Sequence, residues 1–276
     1  MTFENTPSRW KKLLFNPNET THKYVRGHTV IVAGSMAGAA KLAARANRRA
    51  GSGLTTIVCD EHQKAAFEAD WPGHIIDVVD ADNRFSKQLI DNRKNTFLIG
   101  CGGGDDASLR GIILSTLDLG LEKNVVIDAD GLTLFGENNE EFVEKLHKNC
   151  VLTPHEGEFN RLFPDLVAAA DSTRVLAAAQ RTGCTVVLKG HKTLIASPKG
   201  ELVENSHTTA WLATAGTGDV LAGIIAGFMA QGMPAFEAAQ AGVWVHGDAA
   251  KRFGGAGMIA EDVIDMLPET LQKLIS

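Results

Sequence analysis

Short runs of β-branched and aliphatic residues, each closing on a glycine-rich or polar cluster, recur along this chain and restrict its fold more than any other feature. Thr29 to Ala33 runs into Gly34-Ser35-Met36-Ala37-Gly38 and then into Ala39 to Ala50, which is rich in helix formers. Leu54 to Cys59, Ile75 to Val79, Thr96 to Ile99, Val125 to Asp128, Cys150 to Thr153 and Thr185 to Leu188 repeat the strand signal, with a helix expected from Ala107 to Leu119. Strands that are apolar throughout, rather than alternating, belong to sheets covered on both faces. The pattern therefore predicts an α/β fold with a mostly parallel central sheet flanked by helices. Ligands of such sheets sit beyond the carboxyl ends of the strands, and nearly every glycine-rich or polar cluster of this chain falls there.

After Lys189 the pattern changes. Thr193 to Ser197, a Pro198-Lys199-Gly200 turn and Glu201 to Glu204 predict a hairpin, and helices are expected at Val220 to Gln231, Pro234 to Arg252 and Glu261 to Ile275. Residues 1–26 mix Asn, Thr, Pro and charge and read as a surface arm. No compositional break divides the 276 residues, of which 44% are hydrophobic, so a single domain spanning 1–276 is expected. A net charge of −6 excludes a general nucleic-acid surface, and any phosphate-bearing substrate has to be held locally. The N-terminus lacks the apolar core of a signal peptide, and no apolar run approaches the ~20 residues of a membrane span. Cys59, Cys101, Cys150 and Cys184 stand far apart with no CxxC pair, as small buried residues of a reducing compartment do, and a cytoplasmic protein is expected.

The most informative stretch is Thr214-Ala215-Gly216-Thr217-Gly218-Asp219-Val220-Leu221-Ala222-Gly223, a loop that enters an apolar helix. The first N–H groups of a helix have no partner within it and carry the positive end of its dipole, so they form an anion site, and the glycines let a phosphate come close. A carboxylate among phosphate oxygens repels them, so in the functional reading Asp219 holds the hydroxyl that attacks phosphorus. In the plain structural reading Asp219 caps the helix and Gly216 and Gly218 make a turn; a lone GxGD does not decide between the two.

Three further clusters should meet this loop. In Thr153-Pro154-His155-Glu156-Gly157-Glu158, Glu158 can hold Mg²⁺ and His155 can hydrogen-bond a substrate; alternatively the acids merely favour a helix dipole. In Lys189-Gly190-His191-Lys192-Thr193, Lys189 suits a phosphate and Gly190 a close approach, or the segment is the lead-in to the hairpin. Asp128-Ala129-Asp130-Gly131 offers two carboxylates for a metal or a base, or an Asx turn. His246-Gly247-Asp248, inside an expected helix, reads as packing and capping.

Taken in order, these segments resemble the ADP/ATP-dependent NAD(P)H-hydrate dehydratase family, a branch of the ribokinase-like superfamily. The resemblance runs from about His22 to the C-terminus. It is carried by His22-Lys23, Gly38-Ala39, Gly51-Ser52-Gly53-Leu54, Leu98 to Gly104, Val126 to Asp130, Leu152 to Phe159, Val187 to Gly190 with Thr193, Ala213 to Gly223 and Val245-His246-Gly247. Departures are a Ser206 to Trp211 segment where the family usually has a Gly-Asn pair, a first glycine loop (Gly34 to Gly38) shorter than usual, Cys101 where proline is common and Thr133 where asparagine is common. They border the substrate side rather than Asp219.

The resemblance implies a ribokinase-like three-layer sandwich and a carbon–oxygen lyase that removes water from hydrated NADH or NADPH at the expense of ADP or ATP, with Mg²⁺. It further implies a homo-oligomer, commonly a tetramer, and a separate epimerase for the two hydrate isomers, with no epimerase domain fused here. Matched positions place Asp219 as the catalytic residue and Ala39, Gly102, Gly104, His155 and Asp219 against the hydrate. They place Lys189, Gly190, His191, Lys192, Thr193, Asn205, Gly216, Thr217 and Gly218 against the nucleotide, and Glu158 at the metal. Two other readings stay open at this level: a ribokinase-like kinase for a thiazole- or pyridine-type alcohol, and a catalytically silent nucleotide-binding homologue.

Overall fold

Each apolar run from Thr29 onward becomes a strand of one sheet, within a residue or two of the expected bounds. The protein is described from a computed structural model covering residues 1–79, 89, 91–104, 107–136 and 139–275. Among the described residues ten strands are present: β1 Thr2–Glu4, β2 His28–Val32, β3 Leu54–Cys59, β4 Ile75–Val78, β5 Thr96–Ile99, β6 Asn124–Ile127, β7 Cys150–Leu152, β8 Thr185–Leu188, β9 Thr193–Ala196 and β10 Leu202–Asn205. Their order is β1-β10-β9-β8-β7-β6-β5-β2-β3-β4, parallel from β8 to β4, with β9 antiparallel to both β8 and β10. The chain leaves β2 toward one edge and, from β5, proceeds toward the other, so β2 and β5 flank the point where strand order reverses. The crevice of an open α/β sheet lies at such a point.

The helices are α1 Ala37–Ala50, α2 Glu61–Glu68, α3 Ala107–Leu117, α4 Asp130–Thr133, α5 Glu140–Lys145, α6 Glu156–Leu162, α7 Asp171–Thr182, α8 Thr217–Ala230, α9 Ala235–Phe253 and α10 Ala260–Ile275. Alternate strand residues feed two cores. Ile31, Leu98, Val126, Val151 and Val187 pack with α1, α8, α9 and α10, while Val30, Phe97, Val125, Leu152 and Val186 pack with α3, α6 and α7. The result is the expected three-layer sandwich.

Residues 1–26, expected as a surface arm, are more deeply tied in. β1 adds a parallel edge strand against β10, Asn5 donates to Asn205 Oδ1 (2.9 Å) and to the Gln240 carbonyl (2.8 Å), and Trp10 is fully buried with its ring 5.8 Å from that of Trp244. The large apolar ring of Trp10 provides the burial, and its indole N–H donates to Asn5 Oδ1 (3.2 Å).

The packing of α8 positions the site. This helix is buried on nearly every side, and its closest neighbour is α1. A Cβ at Gly223 would lie 2.3 Å from the Ala43 carbonyl oxygen, so the two backbones meet where no side chain fits. Asn47 of α1 fastens the contact from inside. Its amide donates to Thr29 Oγ1 (3.0 Å) and the Gly223 carbonyl (3.3 Å) and accepts from Thr55 Oγ1 (2.7 Å). Gly223→Ala should force α1 and α8 apart and lower the unfolding free energy by about 2 kcal/mol or more. An unchanged urea midpoint by tryptophan fluorescence would contradict the close approach.

Candidate functional site

Helix α8 begins with Gly216 as its N-cap at φ 86°, a left-handed conformation suited to glycine. Thr217 Oγ1 donates to the carbonyls of Leu212 (2.9 Å) and Thr214 (3.0 Å), folding the 210–214 turn onto the first helical turn. The free N–H groups of that turn open on a cavity of about 630 Å³. Eight of the residues expected to meet a nucleotide line it: Lys189, Gly190, His191, Lys192, Thr193, Asn205, Thr217 and Gly218. Gly216, also expected there, instead faces Leu42 and Ala260 on the other side of the helix. Ser206, Thr208, Thr209, Ala210, Leu212, Ala213, Leu221, Val243 and His246 complete the wall. The sequence reading assigned none of these to the nucleotide: Ser206 to Trp211 entered it only as a departure from the family pattern, Leu212, Ala213, Leu221 and Val243 carry no polar side chain, and His246 was assigned to packing.

Beyond α8's first turn lies a cluster of acids. Lys189 Nζ donates to Asp128 Oδ1 (2.7 Å) and lies 3.9 Å from Glu158 Oε2. A side chain at Gly218 would sit 3.6 Å from that ammonium and 3.9 Å from Asp128 Oδ2, so the first turn of α8 touches the ion pair. Asp128, Asp219 and the Cys101 thiol place one oxygen or sulfur each within 4.8 Å of one another. Burial disfavours charge on Lys189, but Asp128 and Glu158 outweigh it and raise its pKa. Lys189 was expected as a point charge for phosphate; here its ammonium is already engaged by two carboxylates at the cavity wall. Lys192 is paired with Glu204 (2.8 Å), and Asn205 is committed to Asn5 and to the His207 carbonyl.

Asp219 carries the strongest electrostatic signature of the site. Burial, reinforced by the Asp128 charge, raises its pKa from 3.8 to about 6, against the pull of a hydrogen bond from the Cys101 thiol and of Lys189. Glu158 is likewise raised, by burial first, and Lys189 and the His155 N–H oppose the shift. Glu158 and His155 form a reciprocal cap on α6. The His155 N–H donates to Glu158 Oε2 (2.7 Å), and the Glu158 N–H to His155 Nδ1 (3.1 Å). The His155 side chain is 59% exposed, with Nε2 3.3 Å from Glu158 Oε1.

Of the residues expected to meet the hydrate, Ala39, Gly102 and Gly104 sit at the β2/β5 crevice, whereas His155 caps α6 and Asp219 lies in the first turn of α8. The Met36 N–H donates to the Gly102 carbonyl (3.1 Å), Ala39 Cβ would lie 2.9 Å from a Cβ at Gly102, and the Gly104 N–H donates to Asp130 Oδ2 (2.9 Å). Between Asp128 and Asp130, Ala129 has φ 50°, the one positive value among described non-glycine residues. Strain of this kind persists where surroundings over-determine it, commonly at functional sites. It turns Asp128 toward Lys189 and Asp130 toward the crevice. The site is thus two compartments, a nucleotide-sized cavity and a glycine-lined crevice, divided by the first turn of α8. Asp248, by contrast, is structural as expected, bonded to His207, Arg252 and Thr270.

Comparison with known proteins agrees with this geometry. The family model described as NAD(P)H-hydrate dehydratase matches residues 29–275. The chain is 39% identical over 257 residues to the ADP-dependent (S)-NAD(P)H-hydrate dehydratase of Neisseria meningitidis, a match covering 89% of this chain and 85% of the relative. It is 32% identical to a bifunctional NAD(P)H-hydrate repair enzyme of Thermosynechococcus vestitus, a match that covers 98% of this chain and 54% of that protein, about half its length. Among solved structures, an ADP/ATP-dependent NAD(P)H-hydrate dehydratase from Bacillus subtilis, co-crystallized with ATP/Mg²⁺, superposes with a TM-score of 0.81 at 24% identity, covering 99% of each chain; this shows the shared fold.

The raised pKa of Asp219 has a consequence for stability. Folded, the carboxyl holds its proton up to about pH 6; unfolded, it releases it near 3.8. Between those values stability falls as pH rises, and above about 6 the whole penalty is present. Asp219→Asn removes the charge and keeps the shape. It should raise the melting temperature near pH 8, by an amount corresponding to on the order of 1 kcal/mol, with the gain gone below about pH 4. A gain that is the same at both pH values would contradict the burial of this charge.

Proposed function

The chain belongs to the NAD(P)H-hydrate dehydratase family, and on that premise we propose that it restores hydrated NADH or NADPH by nucleotide-dependent dehydration, with ADP, or ATP, in the cavity and the hydrated nicotinamide ring in the crevice. The observation that carries the assignment is the position of Asp219. It is a carboxylate with a pKa near neutrality, one residue from helix amides that open on the nucleotide cavity and across α8's first turn from it.

In the reaction we assign, the ring C6 hydroxyl attacks the terminal phosphorus of the nucleotide as Asp219 takes its proton. The phosphoanhydride bond breaks, and AMP leaves from ADP with the bonding electrons. The Thr217 and Gly218 N–H groups face the transferring oxygens and offset their charge, a preorganised arrangement that needs no movement during the step. Phosphate is a far better leaving group than hydroxide. The ring nitrogen then pushes electrons toward C6, the C–O bond breaks with loss of phosphate, and loss of the C5 proton completes the double bond. That last chemistry belongs to the nicotinamide itself. His155, exposed on its cap, and the Gly102 and Gly104 loop orient the hydrate.

Mg²⁺ fits the donor set. The carboxylates of Asp128, Glu158 and Asp219 face a single ammonium, Lys189, and this excess of hard oxygen donors suits a divalent cation carried in with the nucleotide. Glu158 would hold it, directly or through water, and the ion would supply charge neutralisation at the phosphates. The same reading extends to setting. Free buried cysteines and the lack, among the described residues, of a helix able to cross a membrane suit a cytoplasmic enzyme. Exposed Met36, Trp211 and Ile259 suit burial in a homotetramer. The greater length of the bifunctional relative suits a companion epimerase acting on the hydrate isomers.

Recovery of absorbance at the reduced-nicotinamide band, after hydrated NADH, Mg²⁺ and ADP or ATP are mixed with enzyme, tests the function directly. Asp219→Asn should lower the rate by about 10²–10⁴-fold while ADP affinity changes little; near wild-type turnover would remove Asp219 from the chemistry. Because ionised Asp219 accepts the proton, kcat/KM for the hydrate should rise with pH through an apparent pKa of about 6, and a flat profile from pH 5 to 8 would count against it. Lys189→Ala should weaken ADP binding, measured by calorimetry, and should depress the rate as well, because it leaves Asp128 and Glu158 without their cation.

A further inference from the structure

Residues 206–209 belong to neither helix nor strand, yet Ser206, Thr208 and Thr209 form part of the cavity wall. No ladder holds this stretch, so its shape depends on contacts from other elements. Three of them lead back to the first ten residues of the chain. Glu4 Oε1 accepts from the Ser206 N–H (3.3 Å) and hydroxyl (2.6 Å). Asn5 bonds to Asn205, whose own amide donates to the His207 carbonyl (3.0 Å). The His207 ring lies flat on Trp244, with centroids 4.6 Å apart and planes 8° apart, and Trp10 packs against that same indole.

The middle contact admits one arrangement only. An indole N–H can only donate and a backbone carbonyl can only accept. Trp10 Nε1 donates to Asn5 Oδ1 (3.2 Å), so the Asn5 nitrogen faces the Gln240 carbonyl (2.8 Å) and Asn205 Oδ1 (2.9 Å). The Asn205 nitrogen is thereby directed at the His207 carbonyl. Turning either amide over would set donor against donor or acceptor against acceptor. Asn5 and Asn205 are each 1% exposed, so water cannot replace a bond that is lost. The His207 carbonyl is also pressed against α9, where a Cβ at Gly247 would lie 2.0 Å from it.

We propose that Asn5 is a positioning residue of the nucleotide site: through Asn205 it fixes the His207 carbonyl, and with it the wall at 206–209, so that the N-terminal segment sets nucleotide affinity without touching the nucleotide. The proposal rests on the nucleotide cavity assigned above. It gives a role to residues ahead of position 29, where the family match begins. Coupling of this kind is reciprocal. If order in residues 2–10 favours bound nucleotide, bound nucleotide favours order in residues 2–10.

Hydrogen exchange of the intact protein, with and without saturating ADP, tests that reciprocity. Amides of residues 2–10, among them the Asn5 N–H that donates to the Glu204 carbonyl (2.8 Å), should exchange several-fold more slowly with ADP, while those of Ile75–Val78 at the opposite edge of the sheet should not change. Asn5→Ala should bind ADP about tenfold more weakly by calorimetry, and raise the KM for ADP equally, with kcat at saturating ADP and the KM for the hydrate within about twofold of wild type. A merely structural role would lower the folded fraction and leave both ADP constants alone. Should Asn5→Ala fail to fold, the exchange measurement on wild type decides. Exchange in residues 2–10 that is unmoved by bound ADP, or unchanged ADP affinity in folded Asn5→Ala, overturns the proposal and leaves the dehydratase reading standing. No binding of ADP to the wild type overturns both.

Discussion

Two helix backbones in contact, with no side chain between them, determine where this protein can do chemistry. The approach of α8 to α1 at Gly223 and Ala43 leaves no freedom along or across the helix, and Asn47 bonds the pair to β2 and β3. Because α8 is apolar on nearly every face, its burial in the core stabilises it strongly, and its unpaired N-terminal amides are carried to the sheet's carboxyl edge. The anion-binding end of the helix is thus placed by packing far from any ligand, and Gly223 contributes to the site through the core while Gly218 lines the cavity itself.

Around that helix end, charge is held in a balance that burial makes sensitive. One ammonium serves Asp128 directly and Glu158 at longer range, while Asp219 sits among them with no cation of its own. The thiol of Cys101 gives Asp219 a weak donor in place of a strong one, which leaves the carboxyl basic enough to take a proton. Burial keeps the thiol itself protonated, so Cys101 acts here as a donor and not as a nucleophile.

Much of this was legible in the chain. The strands from β2 to β9 and the order of the clusters at their ends were readable because both faces of the sheet are covered, which leaves continuous apolar runs and pushes polar groups to the loops. The cavity wall from Lys189 to Thr193 and the first turn of α8 followed from the same rule. What escaped was set by tertiary contact. Trp10 lies in a segment of polar composition and is recruited to the core by Trp244, and β1 finds its partner about two hundred residues away. Helices α2 and α5 are short pieces, and α7 is a longer one, whose stripes of buried side chains complete the layers without announcing themselves. His246 looked like a core histidine, and its Nε2 is buried as such a residue's would be; only its place on the cavity wall distinguishes it.

The strained peptide at Ala129 links the two halves of the site mechanically. Its left-handed turn sends Asp128 to the lysine beside the cavity and Asp130 to the Gly104 amide beside the crevice. Asp128 at one wall and Asp130 at the other are thus joined through a single strained residue, so a change at position 129 reaches both chambers at once.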